Sequence, residues 1–181
     1  MKKTLQIITP CSRPQNLQQI KENIEQTIKV PYDWYIVFDS KSEPIDMSSD
    51  NIKTYKNYEY KSAFGNAERN IALKYKDDYE FIYFLDDDNL IHNNFMDAFE
   101  DIDDLHSIYI FNQQDRMWPG KNKICQLHHI DTACFLVKSN IVNIEWESEA
   151  YGADGIFIES LSNNNSVKFI DKDLCLYNAL A

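Results

Sequence analysis

The sequence predicts an α/β fold: a single domain on one central sheet, mixed but mostly parallel. Two observations carry this. Continuous apolar runs of strand length, WYIVF at 34–38 and FIYFL at 81–85, end abruptly in aspartates, as strands covered on both faces do. Helix-length amphipathic patterns lie between such runs, and strands alternating with helices imply parallel pairing through crossovers.

Taken in order, residues 5–9 (LQIIT) form a short β-rich run that Pro10 ends. Pro14 then opens a helix on which Leu17, Ile20, Ile24 and Ile28 recur every three or four residues. The run 34–38 is the second strand. After a polar stretch, a weaker strand falls at 52–55, and Gly65-Asn66 leads into a helix carrying Ile71, Ala72 and Tyr75. The strongest strand, 81–85, stops at Asp86-Asp87-Asp88-Asn89. Beyond it the sequence predicts a short helix at 95–99, strands at 108–111 and 133–137, a loop holding Trp118-Pro119-Gly120, and a helix from Asp154 to Leu161.

The length of 181 residues suits one domain. A net charge of −11 argues against a nucleic-acid backbone or an anionic membrane as partner, since both require a basic surface. The N-terminus, Met1-Lys2-Lys3-Thr4, runs directly into the first strand without the apolar length of a leader or transmembrane segment, so the expected location is cytoplasmic. Four cysteines, Cys11, Cys125, Cys134 and Cys175, show no CxxC spacing and read as reduced packing residues, with Cys11 the one placed to line a site.

In a parallel α/β sheet the ligand sits beyond the carboxyl ends of the strands. The loops after Thr9, Phe38 and Leu85 share that edge, which gathers Arg13, Asp39 and the aspartate cluster. Three successive carboxylates repel one another unless a cation relieves them, and Mg²⁺ or Mn²⁺ prefers such hard oxygen ligands. On a tight turn the three side chains diverge, so one or two are free to meet ribose hydroxyls instead. Only three arginines occur, Arg13, Arg69 and Arg116; a planar guanidinium grips phosphate with two parallel hydrogen bonds. Arg69 falls near the start of its helix, where backbone N–H groups favour an anion, with a surface ion pair to a nearby acid the alternative. Asp154, between Gly152 and Gly155, reads on its own as a helix cap. His128 and His129 are weak candidates, since on a strand at most one could face a site. Trp118, Trp146 and Tyr151 are possible aromatic faces for a sugar, with core packing the alternative.

In their order along the chain these motifs resemble the GT-A glycosyltransferases, a nucleotide-diphospho-sugar transferase fold of Rossmann-like type. The nearest resemblance is to the inverting β-1,3-glucuronyltransferases, with a more distant one to the bacterial inverting family 2 enzymes. Ile8-Thr9-Pro10-Cys11-Ser12-Arg13-Pro14 is similar to that family's threonine-proline loop, and Asp39 to the aspartate that contacts uracil. Glu68-Arg69-Asn70-Ile71-Ala72-Leu73 resembles the helix whose arginine serves the diphosphate. Ile82-Tyr83-Phe84-Leu85-Asp86-Asp87-Asp88-Asn89 is similar to the DxD segment, whose last aspartate binds Mn²⁺ while the preceding ones meet the ribose. Ile130-Asp131-Thr132-Ala133-Cys134-Phe135 resembles a later strand near donor sugar and acceptor. Aligning Phe157 puts Asp154 where the catalytic glutamate stands.

The resemblance implies a metal-dependent inverting glycosyltransferase. Residues 1–89 form the nucleotide-sugar half, with Thr9, Pro10, Arg13, Asp39, Arg69, Asp86, Asp87 and Asp88 at the donor, a UDP-sugar, and the metal on Asp88. Residues 90–181 form the acceptor half, with Asp154 the base toward a glycan or lipid-linked sugar, and Arg116 available to an acidic acceptor. Phe64 stands where the family often has an arginine toward the base, and Asn178 where it has a phosphate-binding histidine. The chain also leaves little room for acceptor-binding segments, so glucuronic acid does not carry over as the donor sugar. Two alternatives stand beside this. A sugar nucleotidyltransferase would carry a glycine-rich first loop, and residues 10–14 contain no glycine. A non-catalytic nucleotide-sugar-binding module of a glycan-synthesis assembly would bind donor without turnover.

Overall fold

In the computed structural model, which describes residues 3–47, 49–59, 64–147 and 150–181, the chain runs β1 (Lys3–Cys11), α1 (Leu17–Thr27), β2 (Tyr32–Phe38), β3 (Ile52–Lys56), α2 (Asn66–Leu73) and β4 (Tyr79–Phe84). It continues through β5 (Leu90–Ile91), α3 (Asp97–Glu100), β6 (Ile108–Gln114), α4 (Pro119–Asn122), β7 (Phe135–Lys138), α5 (Ala153–Ser162) and β8 (Val167–Leu176). All eight strands form one sheet in the order β3-β2-β1-β4-β7-β6-β8-β5. The pairings β1 with β2, β1 with β4, β2 with β3 and β6 with β8 are parallel; β4 with β7, β6 with β7 and β5 with β8 are antiparallel. The predicted mixed, mostly parallel sheet is the one observed.

Strand alternation explains the continuous apolar runs. In β4, Phe81 and Tyr83 join one buried cluster with Leu17, Ile20 and Ile24 of α1, while Ile82 and Phe84 join the opposite one with Ala72 of α2 and Phe157 of α5. Both faces of the central strands are therefore covered, and no position in β4 after Glu80 is left for a polar residue. Cys11, Cys134 and Cys175 are buried, Cys125 is half-buried, and all four are free thiols. Among the described residues no helix is long and apolar enough to cross a membrane; Met1 and Lys2 of the N-terminal reading lie outside them.

Pro10 does not end β1, which continues to Cys11. The Leu5 N–H bonds to the Pro31 carbonyl and the Cys11 carbonyl accepts from Asp39, on the β2 side, whereas the Ile8 carbonyl accepts from Leu85 on the β4 side. By this alternation Pro10 faces the β4 side, past the last register pair of β4, Phe84 with Ile8, where the missing N–H has no ladder to break. Three smaller corrections concern helices and a strand start. Residues Pro14–Asn16 are a 3-10 turn and α1 begins at Leu17. Residues Trp118-Pro119-Gly120 are not all loop, because Pro119 starts the one-turn α4. The strand predicted from Ala133 starts at Phe135, since Thr132–Cys134 is a 3-10 turn capped by the Asp131 side chain.

Candidate active site

The aspartate cluster begins where β4 stops, and its three carboxylates diverge to three different tasks. Asp87 turns toward the end of β1. Its Oδ2 accepts from the backbone N–H groups of Ser12 and Arg13, each at 2.6 Å, and its Oδ1 accepts from Arg13 Nη1 at 2.7 Å. It therefore staples two sheet loops together and is nearly covered. Asp86 leans the other way and accepts from Arg69 Nη2 at 2.5 Å. Asp88 accepts from Arg13 Nη1 at 2.8 Å. Burial pushes its carboxyl above the ordinary range, the Asp86 charge adds to this, and Arg13 only partly offsets it.

The cluster's main chain and the Asn89 side chain after it are held just as firmly. Asn16 Nδ2 donates to the Asp87 carbonyl at 2.8 Å, Leu180 N–H to the Asp88 carbonyl at 3.0 Å, and Asn178 N–H to Asn89 Oδ1 at 2.8 Å. Asn178, singled out as a departure, thus acts here through its backbone, in a left-handed conformation with φ of 48°.

A first cavity of about 350 Å³ opens over this cluster, walled by Pro10, Arg13, Asp39, Gly65, Glu68 and all three aspartates. Burial alone would raise the Asp39 carboxyl, but hydrogen bonds from Ser42 and the Lys41 N–H hold it below its ordinary value, so it stays ionised. Cys11 also lines the cavity, with burial pushing its thiol up to about 12, which leaves it unreactive. Gly65 caps α2 at φ of 78°, and a Cβ there would stand 2.5 Å from Pro10 Cβ, so α2 approaches the β1 loop as only glycine allows. Two expected donor residues do not reach this cavity, Arg69 and Thr9; Thr9 is fully buried, its Oγ1 accepting from Trp34 Nε1 at 2.9 Å.

A second cavity of about 400 Å³ shares Asp86 and Phe64 with the first and is walled further by Arg69, Arg116, Asp131 and Asp154. Arg69 opens here and not onto the first cavity. Its Nη1 donates to the Phe64 carbonyl at 2.8 Å, and its guanidinium lies 4.7 Å from the Trp146 ring. Asn70 fixes that tryptophan's backbone by donating to its carbonyl and accepting from its N–H. Asp154 is not the cap of α5, which is Gly152 at φ of 80°. Burial raises the Asp154 carboxyl most, with Asp131 and Asp86 adding, while the Gly155 N–H at 2.8 Å and Arg69 lower it.

Asp131 reaches this cavity because β7 is antiparallel, which brings the start of β7 to the edge where β4 ends. It pairs with Arg116, whose guanidinium lies 3.7 Å from the Tyr177 ring. The sequence reading did not select Asp131 on its own chemistry. Its signal was an aspartate directly before a capped turn and strand, which gives no sign of the charge opposite. His128 lines the second cavity from an exposed turn at φ of 69°, while His129 lies outside its walls. Trp146 is buried in one wall; Tyr151 is exposed at another and meets Phe64 edge-on, ring centres 5.4 Å apart. Trp118 lines neither cavity.

Among the described residues no group of three or more His, Cys, Asp or Glu side chains is arranged to hold a metal ion alone. The oxygen donors facing the first cavity nonetheless fit a hard divalent cation that takes one or two carboxylates and completes its shell from phosphate and water. Burial first, and then the neighbouring Asp86 and Asp87 charges, raise the Asp88 carboxyl more than the single Arg13 guanidinium lowers it.

No family model matches the chain, and no curated protein matches it in sequence. Its fold is nevertheless found among solved structures. S. aureus TarS 1–349 gives a TM-score of 0.71 at 17% identity, covering 96% of this chain and 60% of that one. The complex of TarS 1–349 with UDP gives 0.69, also at 17% identity, with 96% and 60% covered. The mannosyltransferase PcManGT from Pyrobaculum calidifontis, in complex with GDP-Man and Mn²⁺, gives 0.71 at 11% identity, covering 98% of this chain and 57% of that one. The chain thus spans about three fifths of these structures, and at such identities what it shares with them is the mixed α/β fold.

Proposed function

We propose that this chain is a metal-dependent inverting glycosyltransferase that moves a sugar from a nucleotide-diphosphate sugar, a UDP-sugar, to a hydroxyl of a glycan or lipid-linked sugar. The observation that carries the reading is the shared wall: a cradle of Arg13, Asp39 and three aspartates adjoins, through Asp86, a second cavity holding a half-buried carboxylate with raised basicity. The match in fold to a mannosyltransferase bound to GDP-Man and Mn²⁺, and to TarS bound to UDP, supports it.

In this reading residues 1–89 receive the donor and residues 90–181 the acceptor. Asp39, held ionised, accepts from the base, and Asp88 would hold Mn²⁺ or Mg²⁺ with Asp86 beside it. When bound, such a cation neutralises charge on the diphosphate leaving group. Arg13 adds positive charge on one side of the cluster, and Arg69 braces Asp86 at the boundary between the cavities. Asp154 takes the proton from the acceptor hydroxyl as that oxygen attacks the anomeric carbon opposite the departing nucleoside diphosphate, which inverts the configuration. Such a base contributes roughly 10²–10⁴-fold in rate.

Two substitutions separate the roles. Asp88→Ala should abolish metal-dependent donor binding, whereas Asp154→Asn should leave binding near wild type and lower transfer by about 10²-fold or more. Donor binding by Asp88→Ala that still responds to metal would remove Asp88 from the metal site. Undiminished transfer by Asp154→Asn would remove the base, and donor binding without turnover over a broad acceptor panel would favour the module reading.

A further inference from the structure

We infer that the donor's sugar reaches past Asp86 into the second cavity, and that this cavity takes an uncharged sugar and rejects a uronate, with the Arg116–Asp131 pair setting that selectivity. The inference rests on the glycosyltransferase reading and deepens it by naming the sugar class.

Three carboxylates, Asp86, Asp131 and Asp154, and two guanidiniums, Arg69 and Arg116, line this cavity. Each guanidinium is already committed. Arg69 is almost wholly buried, with Nη2 on Asp86 and Nη1 on the Phe64 carbonyl and Asn66 Oδ1 at 3.1 Å. Arg116 donates to Asp131 and to Gln113 Oε1 at 3.3 Å, with one face covered by Tyr177. That leaves Asp154, whose polar contact is the Gly155 N–H, and so one negative charge in excess among the acids and arginines of the walls. His128, which also lines the cavity, is exposed.

A sugar carboxylate entering here would meet that excess and would have to displace Asp131 to reach Arg116. A like charge brought beside an uncompensated carboxylate weakens binding. A neutral sugar avoids the penalty, because its hydroxyls can donate to Asp131 and Asp154, and its C–H face can lie on the exposed Phe64 and Tyr151 rings. Arg116, read from the sequence as available to an acidic acceptor, is already paired with Asp131.

The test compares each sugar nucleotide with its own parent nucleotide, so that recognition of the base cancels. Calorimetry with Mn²⁺ should find UDP-glucose binding at least as tightly as UDP, and UDP-glucuronic acid weaker than UDP-glucose by about tenfold or more. Asp131→Asn frees Arg116 while retaining a residue that caps the 132–134 turn, and should narrow or reverse that ratio at an unchanged melting temperature. UDP-glucuronic acid binding as tightly as UDP-glucose to the wild-type chain, or a ratio that Asp131→Asn leaves unmoved, would overturn the inference. Failure of UDP itself to bind would instead overturn the donor assignment, and GDP-mannose against GDP-mannuronic acid then carries the same comparison with the same two outcomes.

Discussion

At the residue scale, three adjacent aspartates divide into a staple, a boundary charge and a candidate metal ligand. The residue type and the position after a buried strand were legible in the sequence, and they were enough to gather Arg13, Asp39 and the cluster at one edge. The division of labour was not legible, because it depends on which backbone N–H groups and guanidiniums each side chain meets across the fold. The staple and the ligand should differ in stability. Asp87→Ala leaves the Ser12 and Arg13 N–H groups without their acceptor and should cost about 1–3 kcal/mol in denaturant unfolding. Asp88 has a native pKa above its unfolded value, so its ionised form weakens the fold above that range, and the weakening fades as pH falls. Asp88→Asn should therefore leave metal-free stability at neutral pH unchanged or raised; a loss as large as that of Asp87→Ala would contradict the division. Asp154 gives a pH prediction of its own. It must be deprotonated to act, and its carboxyl is raised, so the acid limb of kcat should lie above the ordinary aspartate value of about 3.9. A limb at or below that value would argue against Asp154 as base.

At the element scale, the continuous apolar runs made β2 and β4 readable, since a strand covered on both faces has no polar alternation to obscure it. Pro10 misled because proline usually stops a strand; here its ring faces a stretch where the neighbouring strand has already ended. Asp131 was hidden for a related reason. Its place in the site depends on β7 running antiparallel to β4, and strand direction is a property of topology, not of the local sequence. The close approach of α2 to the β1 loop is tested at Gly65. Gly65→Ala must adopt a left-handed φ and displace the rigid Pro10 ring, and should cost about 1–3 kcal/mol and weaken nucleotide binding together. Wild-type stability in this variant would show that the loop yields freely and does not shape the first cavity.

At the scale of the whole molecule, both halves of the chain contribute strands to one sheet, and the two cavities adjoin where β4 gives way to the aspartate cluster. TarS and PcManGT share the fold at only 17% and 11% identity, so the identity of the ligand must be read from the side chains of this chain. The most direct measurement is calorimetric titration of the wild-type protein with UDP, GDP, dTDP and CDP, each with Mn²⁺ and again with chelator. Selective binding of one nucleotide, UDP on the reading proposed above, that disappears on chelation is the expected result. A folded protein that binds none of them with metal present, or binds one equally well without it, would mean that the aspartate cluster does not hold a metal-bridged diphosphate.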